Sequence, residues 1–230
     1  MTGDRFGVRA VGAALGDLVA PVECGGCGRP AVRWCDRCAA GLRDVPRLLA
    51  PRIDPGVPVW AIGRYGGPMA SAVIDLKEHR RRDLAPVLGR LLADGLVDLA
   101  RWGDLPSSAR LTLVPAPTRM LAARVRGGDT VTAVAAEAAA VLGPAVRVTP
   151  LLATAALTRD SAALGAGARH ANLAGAVRLR RPLPEALKRA RVPVILVDDV
   201  LTTGATAAHA ARVLRRAGAH VAAVVVLAGA

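Results

Sequence analysis

The chain has 230 residues, 53% of them hydrophobic and 2% aromatic, with 31 Lys and Arg against 18 Asp and Glu for a net charge of +13. That length suits one medium domain, or one domain with a small appendage, and the apolar fraction suffices for a substantial core. Scarce aromatic rings argue against a protein that grips nucleic-acid bases by stacking, and no run of about 18 uncharged apolar residues is there to cross a membrane.

The basic side is almost all arginine, since Lys77 and Lys188 are the only lysines. Such a surface attracts polyanions: nucleic acid, phosphorylated metabolites or an acidic partner. Genomic coding bias is the alternative source of individual arginines.

Along the chain, Ala10 to Ala20 is apolar and follows Arg5 and Arg9, which superficially resembles a signal peptide. Asp17 interrupts it and cysteines follow at once, so an amphipathic N-terminal helix and a cytoplasmic protein are expected. Next, Cys24-x-x-Cys27 and Cys35-x-x-Cys38, seven residues apart, use every cysteine in the chain. Each pair can wrap two thiolates onto one metal, and two such knuckles complete a closed tetrahedral shell, so a structural zinc is expected. Gly25, Gly26 and Gly28 permit the tight turns. Disulfides are the competing reading, although a cytosolic chain seldom keeps them. Redox catalysis by one pair would leave the other without a purpose. Arg29, Arg33 and Arg37, interleaved with the ligands, offer a nucleic-acid or protein contact. We set this module at residues 1–50 and a larger domain at 51–230, with Pro46, Pro51, Pro55 and Pro58 marking the exit.

Beyond it, Val57 to Tyr65 alternates as a strand, and Met69 to Lys77 and Leu84 to Leu99 read as helices, the second ended by Gly103 and Pro106. Leu111 to Val114 is a short buried strand running into Pro115-Ala116-Pro117. A helix over Thr130 to Leu142 stops at Gly143-Pro144, and Val146 to Leu151 reads as a strand. Thr154 to Leu173 has little pattern; Val194 to Val197 is a strand, Ala205 to Ala217 a helix closed by Gly218, and Val221 to Leu227 a strand. Strands separated by helices in this way predict an α/β fold with a parallel sheet flanked by helices on both faces.

The most informative segment is Val194-Ile-Leu-Val-Asp198-Asp199-Val-Leu-Thr202-Thr203-Gly204-Ala205-Thr206. An apolar strand meets two adjacent acids, and a turn of small residues then opens a helix. Amides converging in that turn, the helix N-terminus and the hydroxyls of Thr202, Thr203 and Thr206 can hold a phosphate monoester without a lysine. Gly204 lets the backbone approach closely. The carboxylates of Asp198 and Asp199 can accept from vicinal sugar hydroxyls. Neither a P-loop nor a dinucleotide fingerprint is present. On the residues alone, an ordinary strand–turn–helix with a threonine N-cap and two surface acids is the other reading.

This string resembles the 5-phosphoribosyl-1-pyrophosphate (PRPP) signature of type I phosphoribosyltransferases: an apolar run, two acids, then T-T-G-x-T. Other pieces extend the likeness over most of the chain. They are the paired C-x-x-C, the Leu113-Val114-Pro115-Ala116-Pro117 turn with Arg119, Arg124, Arg126 and Gly127 after it, and Arg169-His170-Ala171-Asn172-Leu173-Ala174-Gly175-Ala176. In this order they look like the ComF group, whose members are linked to natural competence and DNA uptake.

The resemblance implies a type I phosphoribosyltransferase-like sheet, Asp198 and Asp199 on the ribose hydroxyls, and Thr202, Thr203, Gly204, Ala205 and Thr206 on the 5-phosphate. Magnesium would be carried chiefly by pyrophosphate and ribose oxygens rather than by a protein cage. Pro115, Ala116 and Pro117 would aim amides at pyrophosphate while Arg119, Arg124 or Arg126 neutralise it; a rigid connector with solvated arginines is the alternative. Arg169 is a further substrate candidate. Lys77 corresponds to a lysine-bearing segment of the group and would reach substrate or nucleic acid, unless it is a solvated helix end. Single-stranded DNA and competence-machinery proteins are the implied macromolecular partners.

The sequence departs from the group at Arg126-Gly127-Gly128-Asp129-Thr130, where R-G-F-N-Q is usual, at Ala176-Val177 in place of A-F, and near Asp160 and Ser161, where a glutamine is usual. His79, His170, His209 and His220 have no metal-like or triad spacing.

Overall fold

The computed structural model describes residues 22–42, 44–117, 129–154, 177–189 and 192–229. A cysteine-bearing hairpin leads into a short helix α1 (Asp36–Gly41) and an edge strand β1 (Arg47–Leu48). Strand β2 (Val59–Arg64) is followed by α2 (Gly67–Glu78), a 3-10 turn over Arg82–Leu84, and α3 (Ala85–Arg101). Then come β3 (Leu111–Pro115), α4 (Thr130–Leu142) and β4 (Val146–Val148). A hairpin pair β5 (Leu152–Thr154) and β6 (Val177–Leu179) and a short helix α5 (Glu185–Arg189) precede β7 (Val194–Leu201), α6 (Ala205–Arg216) and β8 (Val221–Gly229).

The main sheet runs β1-β2-β8-β7-β3-β4. All its pairs are parallel except β1 with β2. Alternation along the strands feeds two cores. Ile195, Val197, Val225 and Leu227 face α2, α3 and α4, with Leu88, Leu92, Leu96 and Leu99 of α3 falling at helical spacing. Val194, Leu196, Val224 and Val226 face α6, whose Ala207, Ala210, Ala211 and Leu214 are buried while Arg212, Arg215 and Arg216 point outward. The mixed α/β architecture with a mostly parallel, helix-covered sheet agrees with the sequence expectation.

Two local expectations change. The strand expected over Val146 to Leu151 is two: β4 ends at Val148, and β5 leaves the main sheet to pair antiparallel with β6. Pro150 lies between them and has no N–H to donate, so the ladder stops there. The strand expected to end at Val197 continues through both acids to Leu201, because β8 extends alongside it and pairs Asp198 with Val226 and Leu201 with Gly229.

Candidate functional site

From β3 the chain proceeds by way of α4 to β4 on one side, and β7 flanks β3 on the other, so the strand order diverges at β3. Loops leaving the carboxyl ends of β3 and β7 therefore part from one another, and in open α/β sheets ligands bind in the crevice so formed. Pro115 to Pro117, at the end of β3, and Thr202 to Thr206, after β7, lie at that end of the sheet. β3 ends on Pro115, paired with Val197, and the Ala116 N–H gives a last bond of 2.7 Å to the Val197 carbonyl. Proline lacks the donor to go further, so β7 runs beyond its neighbour. The Asp199 and Val200 N–H groups are taken instead by carboxylates, Asp198 Oδ1 at 2.9 Å and Asp199 Oδ1 at 2.6 Å.

The acids meet a cation from a different element. Lys77 Nζ, in the last turn of α2, lies 2.8 Å from Asp199 Oδ1, and the side chains are only 30% and 13% exposed. Lys77, Asp198 and Asp199 line a cavity of about 10 Å³ with Val73, Leu76 and Thr130, space at the lower limit for one water. Burial, and then the charge of Asp199 alongside, push the Asp198 carboxyl up to about 8, since each disfavours ionisation.

The turn after β7 leaves Thr202 and Thr203 exposed and Gly204 buried. The N-cap of α6 is Gly204, not threonine: its φ is 85°, and no side chain caps the helix. The closest threonine contact is the Ala205 N–H to Thr203 Oγ1 at 3.4 Å. A helix start without a side-chain cap leaves its first-turn donors for an anion. Glycine is required there twice over: L side chains rarely adopt that φ, and a Cβ would stand 2.5 Å from the Ile53 carbonyl oxygen and 2.7 Å from Pro51 Cβ. The Ile53 N–H in turn donates to the Thr203 carbonyl at 3.0 Å. The proline-rich segment that marks the exit of the cysteine module is thus a brace against the Thr202–Thr206 turn.

Sequence reasoning missed that brace and missed Thr130. The signal for Thr130 was the Asp129-Thr130 departure: Asp129 caps α4 by accepting from the Thr132 N–H and hydroxyl, which sets Thr130 at the cavity wall. Arg119, Arg124, Arg126, Arg169, the segment near Asp160 and the expected N-terminal helix lie outside the described residues.

In the cysteine module the four Sγ atoms lie within 4.8 Å of one another. Cys27 Sγ and Cys35 Sγ are 3.7 Å apart, close to the edge of about 3.8 Å for a tetrahedron with Zn–S of about 2.3 Å. All four cysteines are free in this structure. Burial raises the Cys24 thiol, but N–H groups of Cys35, Gly26 and Cys27 outweigh it and bring it to about 6. Cys38 is pushed well up by burial and by hydrogen bonds from the other thiols. The donor set fits a structural zinc: a cation would make all four thiolates tenable, and among the described residues no other His, Cys, Asp or Glu joins the cluster.

At the amino ends of the strands a second cleft, about 700 Å³, is lined by Ser107, Ser108, Lys188, Arg215 and His220 among others. Among the described residues no helix is long and apolar enough to cross a membrane.

No family model matches the chain. The DNA utilization protein YhgH of Salmonella typhi is 30% identical over 196 residues, spanning 83% of this chain and 82% of that protein. The protein of the same name from Salmonella typhimurium strain LT2 is 29% identical over 224 residues, spanning 88% of this chain and 94% of its own length. A likeness that spans most of both chains shows that the chain belongs to the family of the DNA utilization protein YhgH.

Proposed function

We propose that this protein binds PRPP with its magnesium at the carboxyl end of β7 and transfers the phosphoribosyl group to an acceptor, in the cytoplasm, as part of the DNA use named in its relatives. The observation that carries the reading is one arrangement: twin acids near the end of β7, one of them salt-bridged to Lys77, followed by a small-residue turn whose Gly204 starts α6 without a side-chain cap. Asp198 and Asp199 accept from the ribose hydroxyls, and the amides and hydroxyls of Thr202 to Thr206 hold the 5-phosphate. The acceptor's lone pair forms the new bond to ribose C1, the bond from C1 to the pyrophosphate oxygen breaks, and pyrophosphate leaves with that electron pair. The acceptor's proton passes to solvent. Positioning and fixed charge, rather than a protein nucleophile, lower the barrier.

The test is a thermal-shift titration with PRPP and Mg²⁺. Wild type rises in melting temperature and the Asp198→Asn/Asp199→Asn variant does not; an unmoved wild type rejects the reading.

A second reading, a non-catalytic factor that binds single-stranded DNA or a competence-machinery protein on the same scaffold, is favoured by the net charge of +13 and by the cleft holding Lys188, Arg215 and His220. Contacts would run to the phosphate backbone, since aromatics are scarce. Its signature is single-stranded DNA affinity that falls steeply with salt as counterions are released; affinity that is absent or insensitive to salt removes it.

A further inference from the structure

We infer that the four-cysteine module sets the position of Lys77 over the twin acids, and that Arg81 is the positioning residue through which it acts. This deepens the proposed sugar-phosphate site and rests on that reading for its functional meaning, though the geometry stands apart from it.

Helix α2 carries Lys77 in its last turn, and the module touches both ends of that helix. At its start, Pro68 lies against Gly41, the last residue of the helix that holds Cys38: a Cβ on Gly41 would meet the Pro68 ring at 3.6 Å. At its finish the chain reverses through Arg80, which holds a left-handed φ of 57°. A non-glycine residue keeps that conformation only where its surroundings impose it. Here the His79 and Arg81 N–H groups both donate to the Asp75 carbonyl at 3.1 Å.

The Arg81 guanidinium completes the clamp. It is 24% exposed and grips Asp83 with two bonds of 2.9 Å, Nε to Oδ1 and Nη2 to Oδ2. Its Nη2 also donates to the Glu23 carbonyl at 2.8 Å, one residue ahead of Cys24, and Nη1 lies 3.9 Å from Asp75 of α2. A fork of this kind fixes direction as well as distance. The first knuckle is seated there too, since a Cβ on Gly25 would stand 2.5 Å from Leu84 Cδ1. Trp34, beside the second knuckle, packs against both the cysteine cluster and the core under α2.

The two contacts come from opposite knuckles, Glu23 beside Cys24 and Gly41 in the helix of Cys38. One metal joining the knuckles therefore fixes both ends of α2 at once, and with them the Lys77 ammonium 2.8 Å from Asp199. Released from the first knuckle, the helix keeps its core packing but loses the restraint on its final turn.

Because Lys77 and Lys188 are the only lysines, amine chemistry reports on this directly. Zinc-loaded full-length protein is treated briefly with an N-hydroxysuccinimide acetate ester, and acetylation at each lysine is followed by mass spectrometry. In Arg81→Ala, Lys77 acetylation speeds up by about threefold, the scale of one weakened ion pair, while Lys188 is unchanged. Arg81→Lys, which keeps a cation but not the fork, falls between. Lys77 reactivity equal to wild type in Arg81→Ala overturns the inference. So does a matched rise at both lysines in both variants, which would make Arg81 a residue of general stability. Magnesium PRPP is a separate arm: no binding by wild type defeats the proposed function while the labelling result still decides the role of Arg81.

Discussion

The Lys77 ammonium lies 2.8 Å from Asp199 Oδ1 and joins the last turn of α2 to the end of β7. The pair gives the two adjacent acids unlike roles. Asp199 pairs with a fixed cation, whereas burial and the neighbouring charge push the Asp198 carboxyl up to about 8, and its protonated form can donate as well as accept.

Stability should depend on pH through Asp198. Its folded-state value of about 8 lies above the ordinary 3.8, so the folded protein holds the proton more tightly than the unfolded chain. The stability this contributes is complete below the ordinary value and is lost as pH climbs through about 8. Melting temperature followed across that window is expected to fall in wild type relative to Asp198→Asn, at about 2–4 °C for each kcal/mol. Parallel profiles would show that the carboxyl ionises freely.

Removing Lys77 leaves a largely buried carboxylate uncompensated. Lys77→Met is expected to cost about 1–3 kcal/mol in urea denaturation, and Lys77→Met/Asp199→Asn to recover much of that loss. If the single and double losses simply add, the two side chains are not coupled in solution.

The strand–helix alternation, the small-residue turn before α6 and the cysteine pairs were legible from the sequence because each is local: periodicity, small residues at a turn, and paired spacing all act within a few residues. What could not be read depends on residues far apart in the chain. Nothing near Ile53 announces that its carbonyl would press on Gly204, and Lys77 shows its partner only once α2 is packed beside β7. The extension of β7 past Val197 likewise required β8 as a template, since Asp198 and Asp199 disfavour strand on their own.

Metal analysis of purified protein should find about one zinc per chain, lost in Cys35→Ser. Gly26→Ala should also weaken retention, because the added methyl would stand 2.7 Å from Cys38 Sγ. Protein free of metal with four titratable thiols would remove the module from the account.

Gly204→Ala tests the turn before α6 as the proposed phosphate site. A left-handed φ of 85° and a Cβ 2.5 Å from a main-chain oxygen together should cost about 1–3 kcal/mol. The turn must shift to relieve the contact, so the PRPP-dependent rise in melting temperature should vanish even where the variant remains folded. A variant that keeps both its stability and that rise would show the turn to be more tolerant than its geometry implies.

Strand β8, the last in chain order, is hydrogen-bonded between β2 and β7 in the middle of the sheet. During synthesis, then, β2 on one side and β3, β4 and β7 on the other have no strand hydrogen-bonded between them until Val221 to Gly229 has cleared the ribosome. Such non-local closure slows folding and leaves two strand edges open to wrong partners in the meantime. Nascent chains arrested before residue 221 should therefore be sensitive to protease and dependent on chaperones, although every residue of the turn before α6 has already been made.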